Sequence, residues 1–204
     1  MIYAIIDLMS GAVFALLLQW LFEVYCGNRS FKRFLLTGLF TLYLCEMFNV
    51  VGIPAVQYIR WEPTVNLIPF GDEKNLRYFF QVSMNAVMFL SFGFLLPLLW
   101  KTCRSWKVTT LAGLLTSALI ETIQLFCFRL TDVDDLVMNT LGAFLGYLGA
   151  WLCFRNRWKR PKEAKPERIN DLLSLTVSIL IPLLVTMLLR SPVSEWIYGL
   201  LPLQ

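Results

Sequence analysis

The sequence of 204 residues contains no histidine, and only 16% of its residues are charged. Its cysteines stand singly, without a CxxC pair: Cys26, Cys45, Cys103, Cys127 and Cys153. These absences exclude histidine-based catalysis and the usual zinc sites, which need histidine or closely spaced cysteine ligands. The cysteines are interpreted as small buried hydrophobic residues. A metal site built from oxygen ligands stays open.

The apolar content of the chain indicates a membrane protein. Hydrophobic residues make up 57% of the sequence, and the mean hydropathy is +0.63, more apolar than an ordinary soluble domain. The net charge of +4 is too small to indicate nucleic-acid binding. The opening segment MIYAIIDLMSGAVF has no basic region before its apolar run. It is therefore predicted to be a retained membrane segment and not a cleaved signal peptide.

Long apolar runs predict the fold class. A helix needs about 20 residues to cross a hydrocarbon core about 30 Å thick. Runs of this length, without the alternation of a barrel strand, are predicted to be helices. They cover residues 3–25, 34–54, 79–100, 108–128, 133–154 and 172–190. The expected fold is all-α, a polytopic transmembrane helical bundle of about six spans.

Lysine and arginine are concentrated in alternate connections between these runs. The first, third and fifth connections carry most of the 18 basic residues. Because cytoplasmic loops are enriched in Lys and Arg, we expect these connections in the cytoplasm and both termini outside. The predicted parts are an N-terminal helix and loop (1–33), a four-helix membrane core (34–154), a basic cytoplasmic connector (155–171), and a C-terminal helix and tail (172–204).

Polar side chains within the runs gather on the side that is predicted to face outward. Asn85 lies in the third run, Glu121 and Gln124 lie near the end of the fourth, and Asp135 and Asn139 lie near the start of the fifth. Polar groups at membrane depth are costly, and they usually face a bundle interior or a wet cavity. The distribution therefore predicts one outward-facing polar site.

The stretch RLTDVDDLVMNTLGAFLGY places charge directly before an apolar helix. We expect Thr131 or Asp132 to cap that helix. Acids at a helix start, including Asp134 and Asp135, favour the positive end of the helix dipole. Capping needs only one such residue, so Arg129 is interpreted as a counter-ion for the acids.

One helical face and one loop extend this predicted site. Asp135, Asn139, Gly142 and Gly146 share a face, and the glycines allow a neighbouring helix to approach closely. The loop RWEPTVNLIPFGDEKN, which includes Asn66, is predicted to be a compact interfacial segment.

Four pieces of the sequence resemble the VanZ-like family in content and order: NLIPF at 66–70, NAVMFLSFGFLLP at 85–97, ETIQL at 121–125 and RLTDVDDLVMNTLGAFLGY at 129–147. That family includes proteins associated with resistance to the glycopeptide antibiotic teicoplanin. The resemblance implies that the characteristic positions are Asn66, Pro69, Phe70, Asn85, Glu121, Gln124, Arg129, Asp132, Asp134, Asp135 and Asn139.

Two functional hypotheses follow. The first is a multi-pass protein of the cell membrane that acts at the cell surface on teicoplanin susceptibility or on cell-wall or lipid precursors. Its binding residues would be Asn66, Asn85, Gln124, Arg129, Asp132, Asp134 and Asn139. The second is an intramembrane enzyme in which Glu121 and Asp135 form an acid–base pair acting on a lipid-linked substrate.

Other possibilities are weaker or stay open. A transporter is disfavoured because the cytoplasmic halves of the fourth and fifth runs are apolar, whereas a purely structural polar core stays open. No cofactor is predicted. The expected partners are membrane lipid and a glycopeptide or cell-wall precursor, with no nucleic acid. The sequence does not determine the oligomeric state.

Overall fold

The structure, a computed structural model, describes residues 2–28, 30–61, 63–68, 76–127, 130–158, 168–189, 191–193 and 195. The long helices within these ranges are α1 Ile2–Tyr25, α2 Phe31–Val50, α3 Leu76–Leu99, α4 Trp106–Gln124, α5 Val133–Phe154 and α6 Arg168–Leu188. Each overlaps one of the predicted apolar runs, so the all-α prediction is confirmed. The described elements also include the short strands β1 Thr64–Asn66 and β2 Leu130–Asp132.

Three segments within the described residues are helical, long and apolar enough to cross a membrane: Tyr78–Leu99, Val133–Arg157 and Asn170–Leu188. A shorter apolar helix covers Gly11–Tyr25. The helices α2 and α4 are less apolar than these segments. Lys32 and Arg33 lie in the first turn of α2, and α4 contains several threonines. The count of six spans and the outside location of both termini stay predictions.

The chain forms two compact units. Unit 1 comprises Met1–Ile59 and Ser174–Gln204, and unit 2 comprises Arg60–Leu173. Unit 1 therefore contains α1, α2 and most of α6, and unit 2 contains α3, α4 and α5 with both strands. The four-part division expected from the sequence stays a prediction.

Glycine ends the first two helices of unit 1. Gly27 adopts a left-handed conformation with φ of 76°, and the N–H of Asn28 donates to the carbonyl of Glu23 at 2.9 Å. This arrangement satisfies carbonyls that the helix end would otherwise leave without a donor. The same motif ends α2 at Gly52, where φ is 77°.

A buried carboxylate of unit 1 is held by a cation. Glu23 is 2% exposed, and its Oε2 accepts from Arg33 Nε at 2.9 Å and from Asn28 Nδ2 at 2.8 Å. Gln19 Nε2 lies 3.4 Å from Glu23 Oε1 and donates to Ser178 Oγ at 3.0 Å. We call Gln19, Glu23, Asn28 and Arg33 the ion-paired cluster. It connects the end of α1 to the start of α2 and to α6.

In unit 2 the backbones of α3 and α5 are in direct contact. A Cβ atom placed at Gly142 would collide with the carbonyl oxygen of Ala86, and one at Gly146 would collide with that of Leu90. Only glycine permits this approach, which confirms the glycine face that the spacing predicted. The contact fixes the start of α3 beside the start of α5.

The two strands were not predicted. They pair in parallel, with Asn66 opposite Asp132. Two further contacts hold the incoming loop: Arg60 N donates to Phe126 O at 2.9 Å, and the ring centroids of Trp61 and Phe126 lie 5.0 Å apart. The described part of the predicted interfacial loop is thus attached to the connection between α4 and α5.

Candidate functional site

Buried carboxylates gather at one end of unit 2, where α4 ends and α5 begins. We call this the acid end, and we call its four carboxylates the acid cluster: Glu121, Asp132, Asp134 and Asp135. None of the four is more than 8% exposed. Ionised groups are rarely buried to this extent without hydrogen bonds, so the donors around them determine what the site can do.

Asp132 is the centre of the acid cluster. It caps α5 because its Oδ1 accepts from the backbone N–H of Asp134 at 2.9 Å, which confirms one of the two predicted caps. Its own backbone N–H donates to Glu121 Oε2 at 3.2 Å. Its second oxygen, Oδ2, accepts from Asn66 Nδ2 at 3.1 Å. Cap, strand pair and α4 therefore converge on one residue.

A tyrosine that the sequence analysis did not select joins two of the acids. The hydroxyl of Tyr78 lies 3.1 Å from Asp132 Oδ2 and also forms a short hydrogen bond with Asp134 Oδ2. A phenol carries one proton. It can therefore donate fully to one carboxylate at a time, unless one of the two acids is itself protonated. One O–H is thus shared between two carboxylate oxygens.

Further polar residues lie along the helices, deeper in unit 2 than the acid cluster. Asn139 is 2% exposed, and its Nδ2 donates to Ser117 Oγ at 3.0 Å. Its Oδ1 is buried with no hydrogen-bond partner among the described residues. Asn85 is half-buried on α3, and it lies two helical turns beyond Tyr78 on the same face. The bond from Asn139 to Ser117 therefore joins α5 to α4 one helical turn before Glu121.

The structure brings together several of the residues that the sequence predicted. Asn66, Glu121, Asp132 and Asp134 are linked by the hydrogen bonds above. Asp135 lies buried in the first turn of α5, and Gln124 lies buried as the last residue of α4. Arg129, Pro69 and Phe70 lie outside the described residues, so the predicted counter-ion role of Arg129 stays a prediction.

The missed tyrosine had a weak sequence signal. Tyr78 begins an apolar run, where tyrosine is common simply because it suits the membrane interface. Its separation of seven residues from Asn85 was the available indication, since this spacing places both on one helical face. Among the residues that the structure describes, no three His, Cys, Asp or Glu side chains are placed to hold a metal ion together.

Comparison with known proteins supports the resemblance. The family model described as VanZ/LLP1 matches residues 34–154. Protein VanZ of Enterococcus faecium is 28% identical over an alignment of 124 positions that covers 56% of this chain and 72% of that protein. No solved structure matches the chain. The matched region contains every residue of the acid cluster, together with Asn66 and Tyr78.

Proposed function

The chain belongs to the VanZ/LLP1 family, and from this premise we propose that its acid cluster is an outward-facing binding site at the cell surface. The site acts on glycopeptide susceptibility, with teicoplanin as the antibiotic to test, or on cell-wall or lipid precursors. The protein crosses the cell membrane about six times with both termini outside.

Charge distribution supports the outward direction of the site. Unit 2 has basic residues at one end, in the turns Lys101–Arg104 and Arg155–Arg157. The acid cluster lies at the other end of the same helices. Because basic residues are retained on the cytoplasmic side, the acid cluster is directed to the exterior.

The convergence on Asp132 is the observation that carries the proposal. A helix cap needs one acceptor, yet Asp132 also takes a donor from the strand pair and a donor from α3. Keeping several carboxylates buried at the end of a membrane bundle is costly, and such groups commonly belong to functional sites. Carboxylates in this setting bind ammonium and amide N–H donors, which peptide antibiotics and peptide-bearing wall precursors both present.

Expression in a teicoplanin-sensitive Gram-positive host tests the proposal. The minimal inhibitory concentration of teicoplanin is expected to rise with the natural chain and to return to the host value with Asp134→Asn. The matched control is Asp171→Asn, which changes an acid at the basic end of unit 2, where Asp171 accepts from Thr102 N at 3.3 Å. The control is expected to keep the phenotype.

Membrane abundance is measured for every variant by an epitope tag. Unchanged susceptibility with the natural chain at good expression would contradict the proposal. A loss of phenotype in Asp134→Asn that follows a loss of abundance would instead identify the acid cluster as a structural core.

The alternative is an intramembrane enzyme that uses Glu121 and Asp135 in acid–base chemistry on a lipid-linked substrate. The burial of both side chains favours it, because buried carboxyl groups are suited to acid–base catalysis. Glu121 is also oriented, since its Oε2 accepts from Asp132 N at 3.2 Å. Purified protein is incubated with a lipid-linked wall precursor, and products are separated by mass. Turnover that disappears in Glu121→Gln and persists in Glu46→Gln, on α2, supports the enzyme. Binding without turnover supports the first proposal.

A further inference from the structure

The basic end of unit 2 combines exposed cations with indole rings. The turn Lys101–Arg104 follows α3, and the turn Arg155–Arg157 follows α5. The hydroxyl of Tyr147, on α5, donates to the backbone carbonyl of Arg104 at 3.2 Å, and the guanidinium of Arg104 lies over the ring of Trp158, which directly follows the second turn. The end of this unit therefore presents one continuous surface and not two separate loops.

Each of three cations on this surface lies over a tryptophan ring. The distance from the cation to the ring centroid is 5.5 Å for Arg104 over Trp158, 5.0 Å for Arg155 over Trp151 and 5.7 Å for Lys107 over Trp106. We call these six residues the basic–aromatic rim. A guanidinium stacked on a ring keeps N–H groups at its edge for an oxyanion, and it loses less freedom when the oxyanion binds. Arg104 uses only its Nε within the described residues, donating to Pro97 O at 3.4 Å.

The charge of the rim is not cancelled within the described part of the chain. Within the described residues, the ion pair joins Arg33 to Glu23, and both of these residues belong to unit 1 and not to the rim. Asp171 contacts the first of the two turns, where it accepts from the backbone N–H and the hydroxyl of Thr102. Arg104, Lys107 and Arg155 are exposed. Their positive charge is available to an anion.

We propose that the basic–aromatic rim binds the phosphate of an anionic phospholipid headgroup. A lipid is the occupant because the rim stands at the end of helices that are apolar enough to cross a membrane. Exposed indole rings at such helix ends lie at the level of the headgroups. Trp106 is 52% exposed and Trp151 is 37% exposed. Rings place the helix ends at the interface, and cations select the headgroup charge.

Fluorescence quenching by brominated lipids tests the inference on the full chain in bilayers. The association of dibrominated phosphatidylglycerol is measured relative to dibrominated phosphatidylcholine through tryptophan quenching. The natural chain is expected to prefer phosphatidylglycerol. The double variant Arg104→Gln with Arg155→Gln is expected to lower this preference by roughly fivefold for each of the two cations removed, the size expected at a membrane surface.

Two controls separate local binding from general effects. Arg60→Gln removes an exposed arginine from the acid end and is expected to keep the preference. Arg104→Lys with Arg155→Lys retains the charges and is expected to keep most of it, which also reports on folding. Equal quenching by the two lipids in the natural chain would overturn the inference. A preference that the double glutamine variant keeps would overturn it as well.

Discussion

The ion-paired cluster of unit 1 and the acid cluster of unit 2 both bury carboxylates, but different donors hold them. Glu23 is paired with Arg33, whose Nε lies 2.9 Å from its Oε2. The described donors to Asp132 are neutral: an amide, a phenol and a backbone N–H that it caps. A charge pair fixes both partners as ions, whereas a phenol between two carboxylates leaves a proton to be shared.

This difference changes what a substitution in each cluster is expected to cost. Removing one partner of a buried ion pair lowers the free energy of unfolding strongly, because it leaves the other charge uncompensated. The described donors to Asp132 carry no charge, so removing one of them costs a hydrogen bond and not an ion pair. Four changes test the contrast, in order of decreasing expected effect.

Arg33→Ala is expected to cause the largest loss of stability. It leaves Glu23 buried without its cation, and it should lower the free energy of unfolding by about 3 kcal/mol, at the low end for a broken buried pair because Arg33 is 29% exposed. Thermal unfolding in detergent measures this. The neighbouring exposed Lys32→Ala serves as control and should change stability little. Equal effects of the two variants would show that the pair contributes nothing.

Tyr78→Phe removes the hydroxyl that contacts Asp132 and Asp134. We expect a loss of about 2 kcal/mol, because hydrogen bonds to carboxylates are stronger than neutral ones. Tyr147→Phe loses one bond to a backbone carbonyl, and it should cost about half as much. The same unfolding assay compares them. A smaller effect at Tyr78 than at Tyr147 would contradict the role assigned to the shared proton.

Two asparagines allow a matched comparison of the clusters. Asn66 donates to Asp132 at 3.1 Å, and Asn28 donates to Glu23 at 2.8 Å. Asn66→Ala is expected to cost about 1 kcal/mol and Asn28→Ala about half of that, because Glu23 keeps its arginine while Asp132 loses a neutral donor. The reverse order, measured by unfolding in detergent, would remove the distinction between the two clusters.

The smallest expected effect is on the thiol of Cys26, beside the ion-paired cluster. The interpretation of every cysteine as buried was wrong for Cys26 and Cys153, which are exposed because they lie at the ends of helices. Partial burial raises the pKa of Cys26, the negative charge of Glu23 raises that pKa further, and Arg33 lowers it. Glu23→Gln removes a raising cause, so the pKa falls and more thiolate is present at pH 8. Maleimide should then label Cys26 about twofold faster. Arg33→Gln should slow the labelling.

The labelling experiment has an internal reference. Burial, followed by the negative charge of Asp171, raises the pKa of Cys103 to about 12. This buried thiol should stay unlabelled in every variant that retains its fold. Labelling of Cys103 would show that a variant is unfolded, and an unchanged Cys26 rate in Glu23→Gln with Cys103 protected would contradict the electrostatic account.

Local sequence patterns predicted the features that local physics determines. Apolar run length predicted the helices. The acid before an apolar run predicted the cap at Asp132, and the spacing of Gly142 and Gly146 predicted a close helix contact. Each of these depends on residues within a few turns of one another.

The features that the sequence did not predict depend on distant pairing. β1 and β2 are three residues long and lie 66 positions apart, so neither has a recognisable strand pattern on its own. Tyr78 acquires its role only when α3 places it beside α5. Arg33 lies in the first connection, whose basic residues predicted a cytoplasmic location. Its pairing with Glu23 could not be predicted, because it depends on the packing of the end of α1 against the start of α2.

The close contact between α3 and α5 has a mechanical consequence. Where main chains touch, no layer of flexible side chains remains to absorb sliding, because packed interiors resist compression. The two helices should move as one rigid body. Tyr78 and Asp134 lie at one end of it, and Trp151 lies at the other. A displacement of the helix starts at the acid end would then also move the helix ends that carry the indole rings.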